Sequence, residues 1–138
     1  MSKIFLDTNV LLYTLDENDR QKQARARKIV RRATEQDNPV ISTQILQEFY
    51  VACTSKLGIE ALLAKSIVHS FENMEVVHID TQLIGEAIDV SILNRIFFWD
   101  ALVIAAAESA KCATLFSEDL NPGQIIRGVR IENPFQTP

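Results

Sequence analysis

Two cysteines cannot build a disulfide framework or a cysteine-rich zinc site, and Cys53 and Cys112 are the only ones in the 138 residues. Both lie inside helical patterns without metal-ligand spacing, which predicts buried free thiols. Glycine and proline are scarce too, at four each. That scarcity excludes collagenous, low-complexity and wholly disordered chains. The longest uninterrupted apolar run covers residues 101–107, far short of the roughly 18 residues a membrane span needs. The opening apolar residues meet Asp7 before a signal-peptide hydrophobic region develops, so a cytoplasmic protein is expected. Neither G-x-G-x-x-G nor G-x-x-x-x-G-K-[ST] occurs, which removes the glycine loops on which nucleotide-cofactor enzymes cradle phosphates. Imidazole is also rare: His69 and His78 are the only histidines, and neither stands in a ligand motif.

Against these absences, 47% of the residues are apolar and 23% charged, the usage of a globular chain with a real core. Its length predicts one domain over residues 1–138. Seven of the 14 basic residues fall between positions 20 and 32 with no acid among them, leaving seven against 18 acidic residues elsewhere, a formal charge of −11. A basic helix on an acidic body attracts phosphate backbones locally, while a solvated helix face explains the same run without a ligand.

Short apolar or β-branched runs predict strands over residues 3–6, 39–42, 76–79, 113–117 and 129–131. Helical spacing fills most of the intervals, with a break near Gly58 and an all-apolar helix over 101–107. Strands alternating with helices predict an α/β fold with a mostly parallel sheet covered on both faces. Ligands of such sheets bind outside the carboxyl ends of the strands, where the strand order reverses.

The acids fall at those ends. Asp7 follows the first strand and Asp119 the fourth, while Asp100 opens the all-apolar helix, where an N-cap role is the structural alternative. Glu48 lies beside the buried stripe of its helix, with no basic residue between Arg32 and Lys56 to neutralise it. If the four acids converge, they cannot all stay ionised at short range without a cation. Carboxylates favour hard Mg²⁺ or Mn²⁺ over zinc. Such ions activate water and neutralise charge developing on a phosphodiester, so phosphodiester hydrolysis is the expected reaction class.

The motifs Leu6-Asp7-Thr8-Asn9-Val10, Ile41-Ser42-Thr43-Gln44 through Gln47-Glu48-Phe49-Tyr50, Trp99-Asp100-Ala101-Leu102 and Ser117-Glu118-Asp119-Leu120 occur in that order. Together with the closing Gly128-Val129-Arg130-Ile131 and Asn133-Pro134-Phe135, they resemble PIN domain ribonucleases, in particular the VapC-like toxins of toxin–antitoxin pairs. The resemblance implies a three-layer sandwich with a five-stranded parallel sheet between helices. It also implies a Mg²⁺ or Mn²⁺ pocket and endonucleolytic cleavage of RNA. Asp7, Glu48 and Asp100 match the core acidic positions and Asp119 the more variable fourth, for which adjacent Glu118 is an alternative; Asn9 and Ser42 match supporting positions. A cognate antitoxin protein and a homodimer are implied as well. The basic helix, through Arg25, Arg27, Lys28 and Arg31, is the candidate RNA-binding element.

The competing readings are a signalling receiver, a phosphatase and a non-catalytic RNA- or antitoxin-binding module of the same fold. A receiver needs an acidic pair after its first strand, whereas Asp7 stands alone, and Asp80 reads better as an N-cap. An Asp-x-Asp phosphatase is disfavoured because Asn9 occupies the second position. Retention of all four acids argues against the binding module.

Overall fold

The structure is a computed structural model and describes residues 2–136; Met1, Thr137 and Pro138, the ends of the expected domain, lie outside the described residues. In chain order the elements are β1 (Lys3–Leu6), α1 (Thr8–Tyr13), α2 (Arg20–Gln36), β2 (Asn38–Ser42), α3 (Thr43–Ser55), α4 (Ala61–Phe71), β3 (Glu75–Val77), α5 (Thr81–Asn94), α6 (Phe98–Ser109), β4 (Thr114–Phe116), β5 (Ile125–Ile126) and β6 (Val129–Glu132). The sheet order is β3-β2-β1-β4-β6-β5. Its first five strands run parallel, and β5 pairs antiparallel with β6.

Parallel neighbours need crossovers, which the helices supply while covering the sheet. β1 is central, with Phe5 and Leu6 fully buried. α6 is buried along residues 101–107, and its run of alanines lets it sit close between the sheet and α5. Asp80 caps α5, accepting from Leu83 N at 2.9 Å, as the sequence indicates. Cys53 and Cys112 are free and buried, also as expected.

One expectation needs correction and one alternative falls away. The sheet has six strands, because Ile125–Ile126 joins Val129–Glu132 in a hairpin. Its two linking residues, Arg127 and Gly128, take φ of 51° and 79°, the positive-φ pair that a tight primed turn requires. A two-residue strand is too short to show any periodicity. Asp100 is also not an N-cap: α6 begins at Phe98, with Phe97 in the cap position and Asp100 inside the first turn. The aromatic run before Asp100 thus belongs to the helix rather than to the loop. Among the described residues no single helix is long and apolar enough to cross a membrane.

Candidate active site

Strand order reverses at β1, whose neighbours are β2 and β4, so the crevice expected for this topology opens where β1 and β4 end. Asp7 is the first residue after β1, and its backbone N–H donates to Phe116 O at 3.0 Å, tying it to β4. It also caps α1: its Oδ1 accepts from Thr8 N at 2.7 Å, and its Oδ2 accepts from Ser117 Oγ at 2.7 Å. With 8% exposure, burial pushes the Asp7 carboxyl up to about 6; the two hydrogen bonds oppose this shift, and the charges of Glu48 and Asp119 add to it.

Glu48 reaches the same place from α3. Its Oε1 accepts from Thr8 Oγ1 at 2.7 Å and its Oε2 from Gln44 Nε2 at 3.1 Å. Its partners are therefore neutral donors and not a basic residue. Gln44 also donates to Trp99 O at 3.1 Å, bridging α3 to the first turn of α6, and its buried Oε1 has no partner. Asp119, in the loop after β4, accepts from Asn9 Nδ2 at 3.0 Å and donates its own N–H to Ser117 Oγ at 3.2 Å.

Asp100 is held differently. It is half-buried and, among the described residues, its carboxylate makes no hydrogen bond. Burial, then the charges of Asp119 and Glu48, raise its pKa. The four acids thus form one electrostatic unit: Asp7 and Asp100 each feel both Glu48 and Asp119. Among the described residues, no three of the acidic, cysteine and histidine side chains stand close enough for a ready coordination shell. Mutual repulsion of uncompensated carboxylates acts in that direction.

Glu118, the alternative to Asp119, is engaged elsewhere. It pairs with Lys22 Nζ and accepts from Tyr13 OH at 2.7 Å. The Lys22 ammonium also lies 4.8 Å from the Tyr13 ring centroid and 5.8 Å from that of Phe135, a cation–π arrangement that fixes the start of α2 against the loop. Hydrogen bonding to Glu118 raises the Lys22 pKa.

The supporting and basic residues are spread more widely than the acids. Ser42 is fully buried and caps α3, accepting from Ile45 N at 3.4 Å; among the described residues it hydrogen-bonds no carboxylate. Arg25, Lys28 and Arg32 line a groove of 640 Å³ that contains none of the four acids. Arg25 Nε donates to Pro134 O at 2.9 Å, while Arg27 and Arg31 lie outside that lining, Arg27 donating to Thr14 O at 2.8 Å. The basic helix is therefore not a single surface leading into the acids.

Sequence reasoning missed Thr8, Gln44 and Ser117 as partners of the carboxylates. Each had a positional signal: Thr8 follows Asp7 directly, Gln44 precedes Glu48 by one helical turn, and Ser117 is the first residue after β4.

The PIN domain family model matches residues 4–125. No curated protein matches the chain in a sequence comparison. Among solved structures, the fold is similar to Mycobacterium tuberculosis VapC20, a sarcin-ricin loop cleaving toxin, at 20% identity, with 84% of this chain and 91% of that chain covered and a TM-score of 0.66. It is similar to DNA-bound VapBC from Salmonella typhimurium at 23% identity, covering 97% and 99%, with a TM-score of 0.69. A toxin–antitoxin complex from Klebsiella pneumoniae matches at 16% identity, covering 97% and 99%, with a TM-score of 0.71. By its sequence match and by the sandwich it shares with VapC toxins, the chain belongs to the PIN domain family.

Proposed function

We propose that this protein is a Mg²⁺- or Mn²⁺-dependent endoribonuclease, the toxin of a toxin–antitoxin pair, acting in the cytoplasm. The observation that carries the reading is that four acids, Asp7, Glu48, Asp100 and Asp119, stand near the strand-order reversal, with Asp7 and Asp100 each close enough to feel the charges of both Glu48 and Asp119 and both raised by burial and by those charges. The donor set fits a hard divalent ion, since all four side chains offer carboxylate oxygens and their crowding is of the kind a cation relieves. When bound, such an ion supplies Lewis-acid stabilisation of charge developing on the scissile phosphate and makes water a better nucleophile.

The chain's own contribution is positioning. Ser117 and the Thr8 N–H hold both oxygens of Asp7; Thr8 Oγ1 and Gln44 hold Glu48; and Asn9 orients Asp119. These partners fix the carboxylates before substrate arrives, so little reorganisation is left for the reaction. In-line attack by water on phosphorus would leave a 3′-hydroxyl and a 5′-phosphate. VapBC neighbours are toxin–antitoxin complexes, which supports an antitoxin partner for this chain; a homodimer is part of the same proposal.

The test is incubation of purified protein with total bacterial RNA in Mg²⁺, Mn²⁺ or EDTA, with Asp7→Asn alongside and cleavage sites mapped at the new ends. Discrete metal-dependent cuts, lost in the variant, are expected. RNA retained without new ends, by a folded and metal-loaded protein, would instead support a binding module of the same fold.

A further inference from the structure

Two cavities meet at Asp119. One, of 510 Å³, runs past Glu48, and Lys56 is the single cation in its lining. The other, of 410 Å³, runs past Asp100, and its single cation is Arg95. Among the described residues, neither the Lys56 nor the Arg95 side chain makes an ion pair or a hydrogen bond. Asp119 therefore stands between two limbs, one passing Glu48 and one passing Asp100, each with one uncommitted positive charge.

The Arg95 limb carries a second feature. Phe97 lines it and is 82% exposed, although a phenylalanine side chain gains by leaving water. The short α5–α6 connection sets its place. Arg95 ends α5 in the left-handed conformation at φ 55°, Phe97 takes the cap position of α6, and Asp100 follows within the first turn. A cation, an exposed ring and a reactive-site carboxylate thus stand within six consecutive residues. The amides of Asn121 and Gln124 lie in the same lining. An apolar partner has no use for Arg95, whereas a nucleotide uses the cation, the ring and the amides: phosphate against guanidinium, base against ring, and hydrogen bonds from its edge to amides.

We propose that the Arg95 limb is a nucleotide subsite for single-stranded RNA, with Arg95 binding a phosphate flanking the scissile one and Phe97 stacking on the unpaired base, while Lys56 holds the strand on the opposite limb. This rests on the nuclease reading and names the residues of this chain that hold the strand beside the scissile phosphate; a base paired inside a duplex cannot reach the ring.

The experiment compares wild type with Phe97→Ala, Phe97→Tyr, Arg95→Asn, Lys56→Gln and, as a control on the exposed face of α4, Lys65→Gln. Asparagine is chosen at position 95 because it tolerates positive φ. The probe is a fluorescein-labelled oligoribonucleotide, single-stranded or annealed to its complement, with Kd read by anisotropy in EDTA and KM and kcat read in Mn²⁺. Phe97→Ala is expected to raise Kd and KM for the single strand by about 5- to 100-fold, with little change in kcat and with Tyr restoring binding. Arg95→Asn and Lys56→Gln each flatten the slope of log affinity against log salt by about 0.7, as loss of one single-strand phosphate contact requires, and Lys65→Gln leaves it unchanged. Cleavage lost in Asp7→Asn but indifferent to Arg95 and Phe97 overturns the subsite and leaves the nuclease standing. The reverse pattern, no cleavage by wild type with the binding dependence intact, supports the subsite and removes the nuclease. Should Phe97→Ala convert a dimer to a monomer in light scattering without changing RNA affinity, the ring is a contact between copies and the subsite is wrong.

Discussion

Asp7 and Asp100 both feel the charges of Glu48 and Asp119, yet the chain holds them in opposite ways. Asp7 directly follows the central strand, is 8% exposed, and has a donor on each carboxylate oxygen. Asp100 stands in the first turn of a helix, is half-buried, and has no hydrogen-bond partner among the described residues. A carboxylate fixed by two donors is a preorganised ligand, whereas one held by its backbone alone stays free to adjust to what binds. The crevice thus joins a rigid wall, made by β1, β4 and α1, to an adaptable one at the start of α6.

The first way to break this contrast is to neutralise each acid without changing its shape. Asp7→Asn and Asp100→Asn should each lower cleavage by more than the about 10- to 100-fold typical of losing a ligand's supporting partner, measured as kcat/KM on a labelled RNA. If either retains wild-type cleavage while folded, that acid is not part of the site.

Ser117→Ala comes next, because it removes a donor from the rigid wall alone. A loss of about 10- to 100-fold is expected, and the acidic limb of the pH–rate profile should move to higher pH, since the Ser117 hydrogen bond lowers the Asp7 pKa. Gln44→Leu removes one of the two donors to Glu48 and the bridge to Trp99 O, and a smaller loss is expected there, with the melting temperature nearly unchanged.

Stability sharpens the contrast further. The Asp7 carboxyl, at about 6 in the fold against 3.8 as its ordinary value, binds its proton more tightly folded than unfolded. The metal-free protein therefore loses stability as pH rises from about 4 to about 6, and the loss persists above that range. The shift corresponds to about 3 kcal/mol. Asp7→Asn should accordingly be more stable than wild type at pH 8 in EDTA, with the advantage gone below about pH 4, as read by urea denaturation. The smallest expected effect is that of Glu118→Gln. Its ion pair with Lys22 is partly exposed, so cleavage should change little and stability by about 1 kcal/mol or less.

Much of this was legible in the chain, for a physical reason. Phe5 and Leu6 of β1 and residues 101–107 of α6 are buried, so these stretches are wholly apolar and the acids beside them stand out. The strand-end positions of Asp7 and Asp119 follow from the same alternation. What stayed hidden depends on hydrogen bonds across distant segments, which leave no periodicity. Thr8 meets Glu48 across 40 residues, and Ser117 meets Asp7 across 110. The basic helix is a related case: composition counts its charges, but only the fold shows Arg25 and Lys28 lining one groove while Arg27 donates to Thr14 O.

The proposed function requires the four acids to act as one divalent-cation site. Isothermal titration of Mn²⁺ into the metal-free protein at pH 6, repeated in buffers of different ionisation enthalpy, tests it most directly, because binding to a set containing a half-protonated Asp7 must release protons. Saturable binding with proton release is expected, abolished in Asp7→Asn and weakened in Asp100→Asn and Asp119→Asn. Binding that is absent from the wild type, or present and indifferent to those substitutions, would contradict it.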